Sequence, residues 1–242
     1  MCEAFIEWAK AEGWEAYPET SGFDIVLVRP EDGCQIGVEA KQALNAKVLA
    51  QASSGARGRY SMDGPDHRAV LVPEGGNADL AELADLLGIT VIRARDPKGW
   101  GTTKDYLFDP QLPRIDGGMD WELYQNRLWW DWCPPVRLKL PDYVPDCAAG
   151  TSSPLSLTHW KIRAIRVSIL LERRGYVTPA DFKALGISMP RWTQGGWLQK
   201  SEKRGRWIKG AMPDFKAQHP RNYDEIADDF ENWKPAEAGP LI

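Results

Sequence analysis

The chain has few of the residues that build zinc sites or disulfide frameworks. Its four cysteines (Cys2, Cys34, Cys133 and Cys147) form no C-x-x-C pair, and its three histidines (His67, His159 and His219) are widely spaced. That pattern argues against a structural zinc site. The scattered thiols read as reduced, which points to an intracellular, cytoplasmic protein. No apolar run approaches the ~20 residues needed to span a bilayer, and no signal peptide is expected ahead of the first helix. A phosphate-loop motif is also missing, so any ATP-driven motor would be a separate protein partner.

What is present is a sharp division of charge. The 242 residues, enough for one or two domains, carry a net charge of −4. Residues 1–150 hold 15 Lys+Arg and 24 Asp+Glu, net −9, whereas residues 151–221 hold 14 against 4, net +10. The tail, 222–242, has one Lys and six acids, net −5. A basic block inside an acidic protein is a candidate electrostatic footprint for nucleic acid.

In the acidic part, charges interrupt two apolar runs. Asp24 sits within Gly22-Phe23-Asp24-Ile25-Val26-Leu27-Val28, and Glu39-Ala40-Lys41 ends the run Gln35-Ile36-Gly37-Val38. Burying such charges without partners is costly. Between the runs, Arg29-Pro30-Glu31-Asp32-Gly33 has the Pro and Gly of a tight turn, so the runs read as a hairpin. A turn centred between Glu31 and Asp32 sets Asp24 opposite Glu39, with Cβ atoms roughly 4.5–5.5 Å apart. Two carboxylates that close repel unless a cation lies between them. Period-two alternation puts Glu39 and Lys41 on one face and Ile36, Val38 and Ala40 on the other. The plainer alternative is a surface hairpin with a Glu–Lys pair.

Asp24, Glu39 and Lys41 resemble the signature of the PD-(D/E)xK, or restriction-endonuclease-like, nuclease superfamily, in which an Asp on one strand precedes Glu-x-Lys on the next. Phe23 stands where the family's name has Pro. The elements around the motif agree with the resemblance. Apolar spacing predicts helices over 3–12, 43–52 and 79–87 and strands over 14–17, 22–28, 35–41, 68–73 and 89–92. The order is α-β-β-β-α-β-α-β, an α/β core over residues 1–95. The resemblance implies a mixed sheet flanked by helices, with Asp24, Glu39 and the Ala40 carbonyl ligating Mg²⁺, for which Mn²⁺ would substitute. Lys41 would then orient or deprotonate the attacking water, or hold the phosphate. The family usually adds an acid from the first helix. Glu3 is the favoured candidate and Glu7, one turn on, the second, against the reading that both belong to a solvated face. Lys47 and Gln51 read as an exposed helix face.

The basic block has its own pattern. A long helix is expected over 157–174, ended by Gly175. Thr178-Pro179-Ala180-Asp181 has the cap, Pro and acid of a helix start. After Gly186-Ile187-Ser188 a short helix runs to the Gly195-Gly196 break. Two strands, 197–200 and 206–209, then flank Lys203-Arg204-Gly205. This succession resembles a winged helix-turn-helix module, a small α+β domain over 151–221. The resemblance implies a DNA contact surface of Arg191, Thr193 and Gln194 on the short helix and Lys200, Lys203, Arg204 and Arg206 on the wing. The plainer readings are protein contact or a solvated basic face.

Residues 96–150 read as a Trp/Pro-rich extension whose tryptophans (Trp100, Trp121, Trp129, Trp130 and Trp132) belong to core or interface. A strand is expected at 136–140 and a linker at 150–154. Residues 222–242 read as an acidic tail with a helix-like stretch over 223–233. The family resemblance implies a metal-dependent DNA endonuclease in bacterial or phage restriction, recombination or DNA processing. A homodimer fits a family that often cuts both strands by pairing. The rival is a catalytically inactive nuclease-fold regulator that binds DNA or protein.

Overall fold

The structure, a computed structural model, describes residues 1–53, 63–95, 107–115, 128–147 and 157–235. Its contacts form two compact units, Met1–Leu140 with Cys147–Ser156, and Pro141–Asp146 with Leu157–Ile242. The expected divisions at residues 95 and 221 do not coincide with these. The described parts of 107–140 belong to the first unit, and the acidic stretch as far as residue 235 to the second.

In the first unit, helix α1 (Cys2–Ala11) is followed by strands β1 (Glu15–Thr20), β2 (Phe23–Val28) and β3 (Gln35–Ala40). Helix α2 (Ala46–Ala52), a two-residue strand β4 (Asp63–Gly64), β5 (His67–Pro73), α3 (Ala78–Leu86) and β6 (Ile89–Arg95) come next. With β4 set aside, the order is the expected α-β-β-β-α-β-α-β. Helix α2 starts later than expected because Asn45 caps it, accepting from the Val48 amide at 3.0 Å. Strand β7 (Leu107–Asp109) adds to the edge beside β6, and β8 (Val136–Arg137) pairs with β4.

The six-stranded sheet runs β1-β2-β3-β5-β6-β7. Pairs β1–β2, β2–β3 and β6–β7 are antiparallel, and β3–β5 and β5–β6 are parallel. Parallel neighbours need a crossover, and α2 and α3 lie in those two connections. One sheet face, with Ile25, Leu27, Ile36, Val38, Leu71 and Ile92, packs on Phe5 and Ala9 of α1. The other, with Val70, Val72 and Ile89, packs on Val48 and Leu49 of α2 and Ala84 of α3. The unit is thus a mixed sheet with helices on both faces.

The tryptophans divide. Trp129 is buried and donates to the Gln111 carbonyl, and Trp132 donates to the Gly88 carbonyl, whereas Trp130 is 65 % exposed. Core placement therefore describes Trp129, while Trp132 is partly buried against the core and Trp130 is not in it. The strand expected at 136–140 is only β8. Trp100, Trp121 and the linker at 150–154 lie outside the described residues.

In the second unit, α4 (His159–Arg174) is capped by Thr158 and ends at Gly175, whose φ of +75° is the left-handed C-cap geometry glycine favours. Helices α5 (Pro179–Ala184) and α6 (Pro190–Gln194) follow, then the antiparallel strands β9 (Leu198–Lys200) and β10 (Trp207–Lys209). Val177 bridges to Trp207 and adds a third edge to that ribbon. Thr178 and Asp181 form a full capping box at the start of α5, as the residues there predict. Trp192 of α6 is buried among Phe182, Trp197 and Phe215. Helices α7 (Phe215–Gln218), α8 (Pro220–Asp228) and α9 (Phe230–Trp233) complete the unit. Tyr223 and Ile226 join its core, and Tyr223 donates to Glu172 at 2.7 Å. Among the described residues of both units, no helix is long and apolar enough to cross a membrane.

Candidate functional site

The hairpin between β2 and β3 has the register that its turn residues imply. Ile25 pairs with Val38, Val26 with Gly37, Leu27 with Ile36 and Val28 with Gln35. Gly33, at φ +71°, closes the loop, and Arg29 clamps Asp32 through Nε and Nη2 at 3.0 and 2.7 Å. That guanidinium holds the Asp32 carboxyl at about 2, well below the usual carboxylate range. One step beyond the Ile25–Val38 pair, Asp24 stands opposite Glu39. Its Oδ2 accepts from the Ala40 amide at 2.7 Å, so the side chain is held against the end of β3.

Lys41 occupies the space between the two acids. Its Nζ lies 2.6 Å from Asp24 Oδ2 and 3.2 Å from Glu39 Oε2. The Glu39 side chain is only 5 % exposed, Asp24 18 % and Lys41 32 %. Burial pushes the Glu39 carboxyl above its ordinary range, and the neighbouring Asp24 charge pushes it further. For Lys41, burial favours the neutral amine, but the hydrogen bond and charge of Asp24, with those of Glu39, outweigh it and raise the ammonium's pKa. The site is therefore a pair of carboxylates, one buried and one partly buried, with a cation between them. The surface Glu–Lys pair weighed from sequence has the right partners but too little burial for Glu39.

Two neighbours set this geometry. The Phe23 ring lies over Gly37, where a Cβ would come within 2.6 Å of the ring. A glycine in a strand interior often marks such a close approach. Arg68, buried opposite Gly37 on β5, stacks on Phe23 and Trp132 and donates to the Ala52 carbonyl at the end of α2.

The acids expected from α1, Glu3 and Glu7, are exposed on the helix surface. Burial pushes the Cys2 thiol of α1 up, with smaller opposing contributions from Asp24, which raises it, and Lys41, which lowers it. A carboxylate missed from sequence lies on β1 instead. The β1–β2 pairs Pro18–Ile25 and Thr20–Phe23 put Glu19 opposite Asp24, and Glu19 adds to the charge that raises Glu39. The signal was available, because a turn at Ser21-Gly22 gives that register by the same reasoning used for the next hairpin. Lys47 is exposed and Gln51 half-buried on α2.

The candidate nucleic-acid surface of the second unit is partly committed to the fold. Arg191 and Gln194 are exposed on α6, while Thr193 Oγ1 donates back to the Pro190 carbonyl at 3.1 Å. Lys200, Lys203 and Arg204 are exposed along the β9–β10 ribbon. Arg206 is half-buried, its guanidinium stacked on Tyr176 at 4.0 Å, and the Lys200 ammonium lies 5.9 Å from the Trp207 ring.

Two carboxylates are what Mg²⁺ commonly takes from a protein in phosphoryl-transfer sites, with water and substrate phosphate completing its shell. Asp24 and Glu39 fit that role by donor type and by the cation they already surround. Among the described residues no group of three or more His, Cys, Asp and Glu is placed to hold a metal. Comparison with protein-family models, curated proteins and solved structures gives no match.

Proposed function

We propose that this protein is a metal-dependent DNA endonuclease of the PD-(D/E)xK type, targeted by a winged-helix-like second unit. One observation carries the reading: a lysine ammonium sits between two carboxylates, one of them buried, at the end of β3. Support also comes from the resemblance of Asp24, Glu39 and Lys41 to the superfamily motif and from the α-β-β-β-α-β-α-β order. For the second unit, support comes from the helix-helix-helix-ribbon succession and the net charge of +10 over residues 151–221.

Asp24 and Glu39 would hold Mg²⁺ together with the Ala40 carbonyl. When bound, the ion supplies a lowered pKa for an attacking water and charge stabilisation on the phosphate. Lys41, which lies beside both acids, would hold the phosphate as a point charge, or orient or deprotonate the attacking water. Burial around Glu39 keeps water from competing for its carboxylate. The exposed Lys203 and Arg204 would contact the DNA backbone, contributing affinity and orientation without reading bases.

Incubation of plasmid DNA with the wild-type protein and Mg²⁺ or Mn²⁺, beside Asp24→Ala and Lys41→Ala, tests the reading. Cleavage by the wild type alone supports it. Equal inactivity of all three on duplex, single-stranded and branched DNA would leave the inactive DNA-binding regulator as the answer.

A further inference from the structure

Arg93 and Arg95 are on β6, two strands from the Asp24–Glu39–Lys41 site, and the ladders relate them to it. Glu39 pairs with Val70 on β5, and Val70 with Val91 on β6. Paired residues share a sheet face, so two residues further along the parallel strands Lys41, Val72 and Arg93 form the next row of the same face. Val72 and Arg93 pair in that ladder, and the Lys41 amide donates to the Leu71 carbonyl at 3.0 Å, which holds β3 in the same register. Arg95 follows Arg93 by one more period on the same face. Two strand spacings put the Lys41 and Arg93 backbones about 10 Å apart. The carboxyl ends of parallel strands are where open α/β sheets commonly present ligands.

At that edge the surface is concave. A cleft of about 390 Å³ is lined by Glu74, Arg93, Arg95, Leu107, Phe108, Asp109 and Gln111. Arg93 donates through Nη1 to the Gly75 carbonyl, which orients its guanidinium without neutralising it. Asp109 is its ladder partner on β7, yet no ion pair joins the two among the described residues. Arg95 is tied to Glu74 at 2.7 Å, but the two side chains are 61 % and 51 % exposed. Exposed pairs of this kind contribute little and exchange readily. The charged lining of the cleft balances, two arginines against Glu74 and Asp109, so its anion-binding capacity lies in the donors of Arg93 and in those that Arg95 can release from its exposed pair.

We propose that Arg93 and Arg95 bind a phosphodiester next to the one cleaved, so that the DNA backbone runs across the carboxyl edge of the sheet from Lys41 to β6. This rests on the endonuclease reading. Guanidinium suits the task because its planar donors match phosphate oxygens in pairs. Glu74 then acts as a competitor that the phosphate displaces from Arg95.

The test uses the full chain in a Lys203→Ala/Arg204→Ala background, so that the ribbon does not mask the first unit. Binding of a labelled DNA duplex and a labelled single strand is measured in EDTA over a series of KCl concentrations, and cleavage kinetics are measured in Mg²⁺. Arg93→Ala/Arg95→Ala is expected to raise Kd and KM about tenfold while kcat changes less than about threefold. The salt slope is expected to fall by about one to two. Glu74→Gln is expected to tighten binding about two- to fivefold by freeing Arg95, a gain that a folding defect cannot produce. Unchanged Kd, KM and slope in the double variant, or no gain from Glu74→Gln, overturns the proposal. The endonuclease reading fails separately: a wild type that never cuts while the slope still falls removes the reaction and keeps the backbone track.

Discussion

Lys41 Nζ lies 2.6 Å from Asp24 Oδ2 and 3.2 Å from Glu39 Oε2, so one ammonium separates two carboxylates that face each other across adjacent strands. A divalent ion entering between the acids must displace that ammonium. Lys41→Ala is therefore expected to bind Mn²⁺ more tightly than the wild type, by about tenfold, while cleavage falls by about a hundredfold or more. Calorimetric titration and a plasmid assay on the same preparation check the two halves. Weaker Mn²⁺ binding in Lys41→Ala would contradict the competition.

The raised pKa of Glu39 has a consequence for stability. A group whose folded pKa lies above its unfolded value, 4.5 here, stabilises the fold fully below that value and loses the contribution as pH rises through the folded pKa. At neutral pH the ionised Glu39 is thus a net cost, moderated by Lys41. Glu39→Gln is expected to raise the melting temperature of the metal-free protein by about 2–4 °C at pH 7. The gain should vanish at pH 4 and below. Thermal scans in EDTA at both pH values measure this, and a gain independent of pH would point to packing instead.

Gly37 admits the Phe23 ring beside Asp24, with only 2.6 Å available to an added Cβ. Gly37→Ala must push Phe23 away and with it the strand that carries Asp24. Overpacking of this kind costs about 1–3 kcal/mol, and denaturant titration should find a loss of that size. Cleavage should fall further than stability alone explains.

On the ribbon of the second unit, Arg204 and Arg206 should separate in behaviour. Arg204 is exposed, so Arg204→Ala is expected to weaken duplex binding and lower the salt slope by about one without changing the melting temperature. Arg206 stacks on Tyr176, so Arg206→Ala should also cost about 0.5–2 kcal/mol of stability. Equal thermal effects in the two variants would count against the stacking account.

Thiol chemistry offers a check on the first unit. Burial drives the Cys34 thiol up to about 12, whereas Cys133 is exposed. Iodoacetamide at pH 8 should modify Cys133 in the native protein and reach Cys34 only after unfolding. Peptide mapping by mass spectrometry reads both.

Much of the site was legible because strand pairing is a counting problem. The turn residues Pro30 and Gly33 and the alternating apolar positions of 22–28 and 35–41 are local signals. They determine which side chains oppose one another before any other element is placed. The same holds for the Thr178 and Asp181 cap and for the glycine that ends α4, whose backbone geometry is set by a few neighbouring residues.

What the chain by itself determined, then, is the order of elements, the hairpin register and the facing of Asp24, Glu39 and Lys41. The tertiary structure alone decided that Lys41 bridges both acids, that Glu3 and Glu7 remain exposed on α1, and that Glu19 joins the row of the acids. It also decided that β5 carries Arg68 beneath Phe23, that β6 brings Arg93 and Arg95 to the same edge, and that the acidic stretch around Tyr223 and Ile226 belongs to the second core. These depend on rotations of a helix and on pairings between strands distant in sequence, as Ile36 with His67 and Val72 with Arg93. Local propensity does not encode such choices; they are made when apolar faces find their partners and charges settle where a counter-charge or water can receive them.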